Sequence, residues 1–256
     1  MVKLAYKISR ILPESNLKTY LKCFYSNYIS KNNFKVKFRK GIYYIKFKNG
    51  IKFKTIDNPF EGLYGIKPYF HYYKPKKGDV IIDAGAFNGI ISIYCSKIVG
   101  NEGKIIAYEP DTSTFKKLNK NLEINKISNV TTINKGIWKE DTILFFSNDS
   151  TAGSKILNEK TPNSISIEVV KLDDEMKRLK LDKINFIKMD IEGAEIEAID
   201  GMKKILSLGT HLSIASYHII NGEKTYKEVE RKLKENNYFV KTLDLNQLLT
   251  FARKNE

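Results

Sequence analysis

The sequence is poor in cysteine and holds no long apolar run free of charged residues. Its 256 residues include two cysteines, Cys23 and Cys95, and the second falls in an apolar stretch of helical character. We therefore expect neither a structural disulfide nor a metal cluster, and no metal cofactor. Lys3, Lys7 and Arg10 interrupt the N-terminal apolar pattern, which predicts neither a signal peptide nor a membrane-spanning helix. These absences predict a cytoplasmic protein, either free in solution or bound at a membrane surface.

Acidic residues are scarce relative to basic ones. The chain has 44 Lys and Arg against 29 Asp and Glu, a formal net charge of +15. Such a charge can attract nucleic acid, an anionic membrane or a phosphorylated substrate. Because the lysines are spread along the chain without a dense block, a compositional bias and a functional basic surface both stay open. With 42% hydrophobic and 29% charged residues, the composition is typical of a folded chain.

Residues 1–58 are predicted to form a helical segment and a β-hairpin ahead of a larger domain at residues 59–256. The segments 2–12 and 15–29 both have the apolar spacing of amphipathic helices. The apolar face of the second consists of Leu17, Leu21, Phe24 and Tyr28. We expect both helices to pack on the domain or on a second subunit. Alternatively, the basic helix 2–12 lies on a membrane, where a lipid-linked substrate could reside.

The hairpin is predicted at residues 42–55, where apolar residues alternate mostly with lysines around Asn49-Gly50. A two-residue turn would place Phe47 opposite a lysine and mix the two faces of the hairpin. A three-residue loop over 48–50, with Gly50 at positive φ, pairs Phe47 with Ile51 and keeps one apolar face. It also pairs Ile45 with Phe53. Side-chain parity therefore favours the three-residue loop.

The domain is predicted to alternate strands and helices. Residues 59–78 are aromatic and bounded by prolines, which indicates a loop-like lid over a ligand or a group of core aromatics. Strands are then expected at residues 80–84, 104–109, 130–134, 142–147, 165–171, 184–189, 211–217, 238–243 and 248–252. Helices are expected at residues 89–99, 112–125, 193–206 and 223–236. This order predicts an α/β fold with a mostly parallel central sheet, helices on both faces and an antiparallel C-terminal strand.

A glycine-containing loop follows the first strand of this pattern, which ends in Asp83. Open α/β sheets bind ligands at the carboxyl ends of their strands, and a strand that turns into a helix is expected to leave N–H groups facing that crevice. The spacing Gly-x-x-x-Gly does not fit a dinucleotide fingerprint. Asp83 would repel a pyrophosphate but suits the cationic amino-bearing end of S-adenosylmethionine. The expected cofactor-binding residues here are Asp83, Gly85, Ala86, Phe87, Asn88 and Gly89.

A second acid ends the next strand. Glu109 lies 26 residues after Asp83, where an acid can accept hydrogen bonds from both ribose hydroxyls, and Pro110 follows it. The alternative is that Glu109 only caps the helix that begins near Asp111. Together with the glycine loop, its position favours the ribose role.

Further acids follow a later strand. Asp190 is expected beside the end of the first strand, close to the transferred methyl group, and Glu192 and Glu195 begin the next helix. Acids also favour helix N-termini through capping and the helix dipole, so a structural role stays open. His218 follows another strand. Asp190, Glu192 or His218 is predicted to accept the proton that a hydroxyl nucleophile must lose. His218 is preferred because its ordinary pKa is near neutral. The alternative is that His218 has only a structural role.

These stretches resemble the FkbM family of methyltransferases over residues 60–240. The resemblance rests on residues 78–86 with Gly89, on Tyr108-Glu109-Pro110, on Phe115, Leu118, Asn121, Leu122, Asn125, Asn129 and Val130, on 171–174, and on 187–195. It implies a Rossmann-like class I methyltransferase fold, S-adenosylmethionine as donor, and O-methylation of a hydroxyl on a sugar, a glycan or a related small molecule. The sequence departs from the family at Phe87-Asn88, and it has Ser216-Tyr217-His218 where the later strand commonly ends in an acid.

Two other functions stay open. The basic charge allows an RNA methyltransferase, although no RNA-binding module is recognisable and aromatic–basic interleaving is confined to residues 42–78. The third hypothesis is a non-catalytic protein that binds S-adenosylmethionine at a membrane.

Overall fold

The computed structural model describes residues 15–147, 156–157, 159–162, 164–220 and 222–255. The predicted helix at residues 2–12, together with its expected membrane contact, lies outside the described residues. Part of the polar loop ahead of residue 165 also lies outside them. Within the described residues, no helix has both the length and the apolar character needed to cross a membrane.

Helix α1 (Asn16–Phe24) confirms the first half of the predicted helix at 15–29, and a π-helical turn over Tyr25–Ile29 continues it. The helix begins at Ser15, whose hydroxyl accepts a hydrogen bond from the Lys18 N–H. This bond satisfies one of the N–H groups that the first turn of a helix leaves without an internal partner.

The packing of α1 differs from the prediction. Its predicted apolar face is 47–75% exposed, at Leu17, Leu21, Phe24 and Tyr28. The opposite side, with Cys23 and Ser26, is buried instead. The reason is Asn27, whose side-chain amide exchanges two 2.7 Å hydrogen bonds with the backbone of Val36 and so sets which side meets the neighbouring strand.

An antiparallel sheet follows, with strands β1 (Phe34–Arg39), β2 (Ile42–Phe47) and β3 (Lys52–Thr55). The predicted hairpin is confirmed: Ile45 faces Phe53, and the Phe47 N–H donates to the Ile51 carbonyl at 2.8 Å. Gly50 has the predicted positive φ of 90°. Strand β1 was not predicted, and it extends the hairpin to three strands.

The aromatic segment is a helix, so the prediction of a loop was wrong for its first half. Helix α2 (Phe60–Tyr69) buries Phe60, Leu63, Ile66 and Tyr69 at helical spacing. Its prolines do not break it because Pro59 is the N-cap and Pro68 lies in the last turn. The core interpretation of these aromatics is thereby confirmed for Phe60 and Tyr69.

The remaining elements include every strand and helix predicted after residue 78, together with five short elements that were not predicted, at residues 136–138, 156–157, 172–178, 219–220 and 223–224. They are β4 (Val80–Ala84), α3 (Ile90–Val99), β5 (Lys104–Tyr108), α4 (Thr112–Ile124), β6 (Val130–Ile133), β7 (Gly136–Trp138), β8 (Thr142–Ser147), β9 (Ile156–Leu157), β10 (Ser164–Lys171), α5 (Leu172–Arg178), β11 (Phe186–Met189), α6 (Glu195–Asp200), α7 (Lys203–Ser207), β12 (His211–Ala215), β13 (Ile219–Ile220), β14 (Glu223–Lys224), α8 (Tyr226–Glu235), β15 (Tyr238–Asp244) and β16 (Leu248–Lys254). The predicted helix at 193–206 is divided into α6 and α7 near Gly201, where a Cβ atom would lie 2.4 Å from the Trp138 carbonyl oxygen.

The central sheet has seven strands in the order β15-β16-β12-β11-β4-β5-β6. Strands β12, β11, β4, β5 and β6 are parallel, whereas β16 runs antiparallel between β12 and β15. The predicted class I methyltransferase fold is therefore confirmed. The chain runs outward from β4 to β6 on one side and from β11 to β12 on the other. This reversal is the switch point at which open α/β sheets bind ligands.

Helices cover both faces of this sheet. Successive residues of a strand point to opposite faces, and Ile81 and Ile82 of β4 belong to two separate buried clusters. The first cluster includes Leu63, Ile93 and Leu118 of α2, α3 and α4, and also the N-terminal sheet. The second includes residues of α5 to α8. The predicted boundary between residues 58 and 59 stays a prediction, and the two segments that it would separate share one core.

Two asparagines of α4 and its C-cap attach the N-terminal sheet to the domain. The Asn125 side chain accepts a 2.9 Å hydrogen bond from the Lys54 N–H and donates a 2.6 Å hydrogen bond to the Lys54 carbonyl. Asn121 accepts bonds from the Thr55 hydroxyl and the Ile56 N–H, and its amide donates to the Asn88 carbonyl at 2.9 Å. Asn121 therefore connects the N-terminal sheet to the glycine loop.

Candidate active site

The loop after β4 is shaped by close packing. Gly85 has φ +74°, and a Cβ atom there would lie 1.9 Å from the Asp190 carbonyl oxygen. Gly89 has φ +84°, and its Cβ would lie 2.4 Å from a methyl carbon of Leu118. Both positions therefore require glycine for space as well as for backbone conformation.

Four of the five N–H groups of residues 85–89 are used within the protein, which differs from the expectation that they face the crevice. Gly85 and Ala86 both donate to the Tyr108 carbonyl, at 3.0 and 2.9 Å. Phe87 donates to Glu109 Oε2 at 2.8 Å, and Gly89 donates to the Ala86 carbonyl at 2.9 Å. The loop therefore offers a ligand its surface shape and side chains more than free N–H donors.

The predicted loop residues differ in accessibility. Phe87 is 49% exposed at a positive φ of 51°, whereas Ala86 and Asn88 are buried. The Asn88 amide donates to the Asn58 carbonyl at 3.3 Å. Pro110, at the end of the next strand, is half-buried. Their contacts with a cofactor stay predictions.

Glu109 is 7% exposed and holds two segments in place. Its Oε2 accepts from Phe87, and its Oε1 accepts from the Asp111 N–H at 3.0 Å. The helix-capping alternative does not account for it, because Asp111 is the N-cap of α4 and accepts from Thr114 at 2.7 Å. Burial raises the pKa of Glu109 above its ordinary value despite the two N–H donors.

Asp83 lies beneath the loop and is 1% exposed. Its Oδ2 accepts from the Ser92 hydroxyl at 2.6 Å, and its Oδ1 pairs with Lys188 Nζ at 3.2 Å. Lys188 also donates to the Gly85 carbonyl at 2.5 Å and lies over the Tyr69 ring. The carboxylate is thus enclosed by the protein, and its contact with a donor's amino group stays a prediction.

Asp190 is the centre of a polar cluster at the end of β11. Its Oδ2 accepts a 2.6 Å hydrogen bond from the Tyr69 hydroxyl, and its Oδ1 accepts a 3.3 Å bond from the Tyr217 hydroxyl. Glu195, which is fully buried, accepts from the Ile191 N–H at 2.9 Å. Asp190 therefore belongs to a preorganised group rather than acting only as a helix cap.

His218 completes the cluster, so the three predicted catalytic residues lie together. Its Nε2 is 3.6 Å from both Asp190 Oδ1 and Glu192 Oε2, and its Nδ1 is 3.2 Å from Glu195 Oε1. Burial alone would lower the pKa of His218, but the hydrogen bond and charge of Glu195 and the charges of Asp190 and Glu192 outweigh it, so the pKa is raised. His218 stays one of the three predicted proton acceptors, together with Asp190 and Glu192.

The roles of Tyr69, Lys188 and Tyr217 are not predicted from the sequence. Tyr69 lies in helix α2, where the sequence predicts a loop. Lys188 did give a signal, because a lysine inside the apolar strand Phe186–Met189 must find a charged partner once it is buried. Tyr217 is placed by the turn after β12, which local pattern does not predict.

Comparison with known proteins gives a consistent result. A family model described as the methyltransferase FkbM domain matches residues 83–240. Methyltransferase 1 of Beauveria bassiana is 25% identical over 48% of this chain and 57% of its own length. The hexuronic acid methyltransferase AglP of Haloferax volcanii is 25% identical over 51% of this chain and 53% of its own length. The chain thus spans little more than half the length of these relatives.

One solved structure supports the fold. The crystal structure of a methyltransferase FkbM from Methylobacillus flagellatus superimposes with a TM-score of 0.54 at 18% sequence identity. The match covers 71% of this chain and 45% of that chain.

Proposed function

The chain belongs to the FkbM methyltransferase family, and from this membership we propose that it transfers the methyl group of S-adenosylmethionine to a hydroxyl of a sugar, a glycan or a related metabolite. One observation carries the proposal: the loop at 85–89, Glu109 and the Asp190–His218 cluster meet at the carboxyl ends of adjacent parallel strands. The sugar acceptor is supported by the relative that is named a hexuronic acid methyltransferase.

The residues at this edge fit such a donor. Phe87 offers an exposed ring beside the loop, and Gly85 lets the chain pass close to Asp190. Glu109 would accept hydrogen bonds from the ribose hydroxyls, and Asp190 would place negative charge near the sulfonium. When bound, S-adenosylmethionine supplies an electrophilic methyl group whose leaving group is a neutral thioether.

The protein would contribute alignment and proton removal. The acceptor hydroxyl would lie at the Asp190–Glu192–His218 cluster, and its oxygen would attack the methyl carbon in line with the carbon–sulfur bond. An oxygen–carbon bond forms, and the carbon–sulfur electron pair stays on sulfur as S-adenosylhomocysteine. The hydroxyl proton would pass to Asp190, Glu192 or His218, the three predicted proton acceptors.

The test is transfer of a labelled methyl group to cell extract that is afterwards separated into glycan, lipid and RNA fractions. We expect label in the glycan or small-metabolite fraction, strong loss in Asp190→Asn, and full transfer in Asp174→Asn, an ion-paired acid on α5. Label confined to RNA would contradict the sugar acceptor in favour of an RNA methyltransferase. Donor binding without transfer to any fraction would contradict catalysis.

A further inference from the structure

The geometry of the acidic cluster has a property that methyl transfer does not require. One donor atom each from Asp190, Glu192 and His218 lie within 4.8 Å of one another. The His218 Nε2 atom is 3.6 Å from a carboxylate oxygen of each acid, which is too long for a hydrogen bond. Two ligands of one tetrahedral cation, each at about 2.1 Å from it, lie about 3.4 Å apart. The spacing of His218 Nε2 from each acid is therefore close to that of two ligands of a shared cation.

The state of His218 is a second, independent observation. Its side chain is 9% exposed, and its Nε2 atom has no hydrogen-bond partner within the described residues. A buried polar atom without a partner costs stability, so it is kept where another partner occupies the position. The Nε2 atom faces the space between Asp190 and Glu192, where a cation would supply that partner.

The surroundings of the ring are those of a metal-ligating histidine. Glu195 Oε1 lies 3.2 Å from Nδ1, whereas Nε2 is the nitrogen closer to the two acids. Histidines that bind metals commonly have a carboxylate at the second nitrogen, which orients the ring and directs the other nitrogen to the metal. Glu195 is itself fixed by the Ile191 N–H.

The two acids leave coordination positions open. Tyr69 engages Asp190 Oδ2, so Oδ1 is the oxygen that faces His218, and Oδ1 accepts only a longer bond of 3.3 Å from the Tyr217 hydroxyl. The Glu192 side chain is 89% exposed at a backbone φ of 58°, and it can adjust to a cation's preferred distance. Three protein ligands are the number found in catalytic sites that also bind water or substrate.

We propose that Asp190, Glu192 and His218 bind a divalent transition-metal cation of the Mn2+ or Zn2+ class. One imidazole nitrogen with two carboxylate oxygens is a donor set that suits these ions. This differs from the expectation of no metal, which considered cysteine-based clusters. Binding of the cation does not depend on the proposed function. The role of the bound cation, which would hold the acceptor hydroxyl and ease loss of its proton, rests on the proposed function.

The experiment is titration of the EDTA-treated full chain with Mn2+, following the electron paramagnetic resonance signal of the free ion. We expect one bound Mn2+ per chain, displaced by Zn2+. His218→Ala and Glu192→Gln should each weaken binding by about tenfold or more. His211→Ala, at the other end of β12, should bind as the parent does. Glu192→Gln changes an exposed side chain by one atom, so its fold, checked by thermal unfolding, should be intact.

The outcomes separate the two proposals. Absence of Mn2+ binding, or binding that both variants retain, overturns the metal site. Calorimetry with S-adenosylhomocysteine runs in parallel on the same protein. Binding of that molecule without Mn2+ binding overturns the metal site and leaves the proposed function standing. Mn2+ binding that the variants abolish, in a protein that does not bind S-adenosylhomocysteine, supports the site and counts against the proposed function.

Discussion

Replacing Gly85 by alanine tests the packing of the glycine loop against β11. Two costs are expected. At a φ of +74° a residue with a Cβ atom loses about 1–2 kcal/mol relative to glycine. The new Cβ would also lie 1.9 Å from the Asp190 carbonyl oxygen, and overpacking of this kind costs about 1–3 kcal/mol more. The sum is a loss of about 2–5 kcal/mol in the free energy of unfolding, which a domain of ordinary stability survives.

Gly78→Ala is the matched control. Gly78 has φ +80°, and a Cβ atom there would meet nothing within 4 Å. It should therefore lose only the conformational cost of about 1–2 kcal/mol. The difference between the two variants isolates the contact with Asp190.

The assay is urea unfolding of both variants together with calorimetric binding of S-adenosylhomocysteine. The alanine at 85 can be accommodated only if the loop and Asp190 separate, so we expect affinity to fall about tenfold or more, or about 1.4 kcal/mol. Gly78→Ala should bind normally. Equal unfolding midpoints and equal affinities in the two variants would refute the argument, because the close approach would then carry no energy.

Two further predictions concern buried charges. Lys188→Met should lower the free energy of unfolding in urea by about 3–5 kcal/mol, because it leaves Asp83 buried without its counter-ion. Lys77→Met, in a pair whose lysine is 71% exposed, should lower it by about 1 kcal/mol or less. Similar losses in the two variants would show that the buried pair is not energetically distinct. Glu109→Gln should weaken S-adenosylhomocysteine binding about 10- to 100-fold, against no change in Glu123→Gln, an exposed acid on α4. Because burial raises the pKa of Glu109, its carboxyl group binds a proton more tightly in the native state than in the unfolded chain. Ionised Glu109 therefore lowers the free energy of unfolding at neutral pH, and this loss is relieved as the pH falls through the raised pKa. Affinity should move the opposite way and fall as Glu109 becomes protonated. An affinity that stays constant while Glu109 is titrated would contradict the ribose role.

The sequence predicted what depends on local periodicity. Alternation and parity gave the register of Ile45 with Phe53. Strand ends gave the positions of Glu109, Asp190 and His218, because the carboxyl ends of parallel strands meet at one edge of the sheet.

The remaining features depend on contacts between distant segments. Tyr69 bonds to Asp190 across 121 residues of chain, and it does so because α2 is a helix where composition suggested a loop. The buried side of α1 is decided by Asn27 and its bonds to a strand that had not been predicted. In both cases the contact joins segments that are distant in the sequence or were not predicted, so local pattern alone does not predict it.

The asparagines at the end of α4 have a consequence for inheritance. Asn121 and Asn125 lie within the matched family segment, yet their side chains bind backbone groups of Lys54 and Ile56, which precede it. A recombination that exchanged the N-terminal sheet but kept α4 would leave the buried Asn121 amide facing a different backbone. The sheet and these two asparagines should therefore be inherited as one unit.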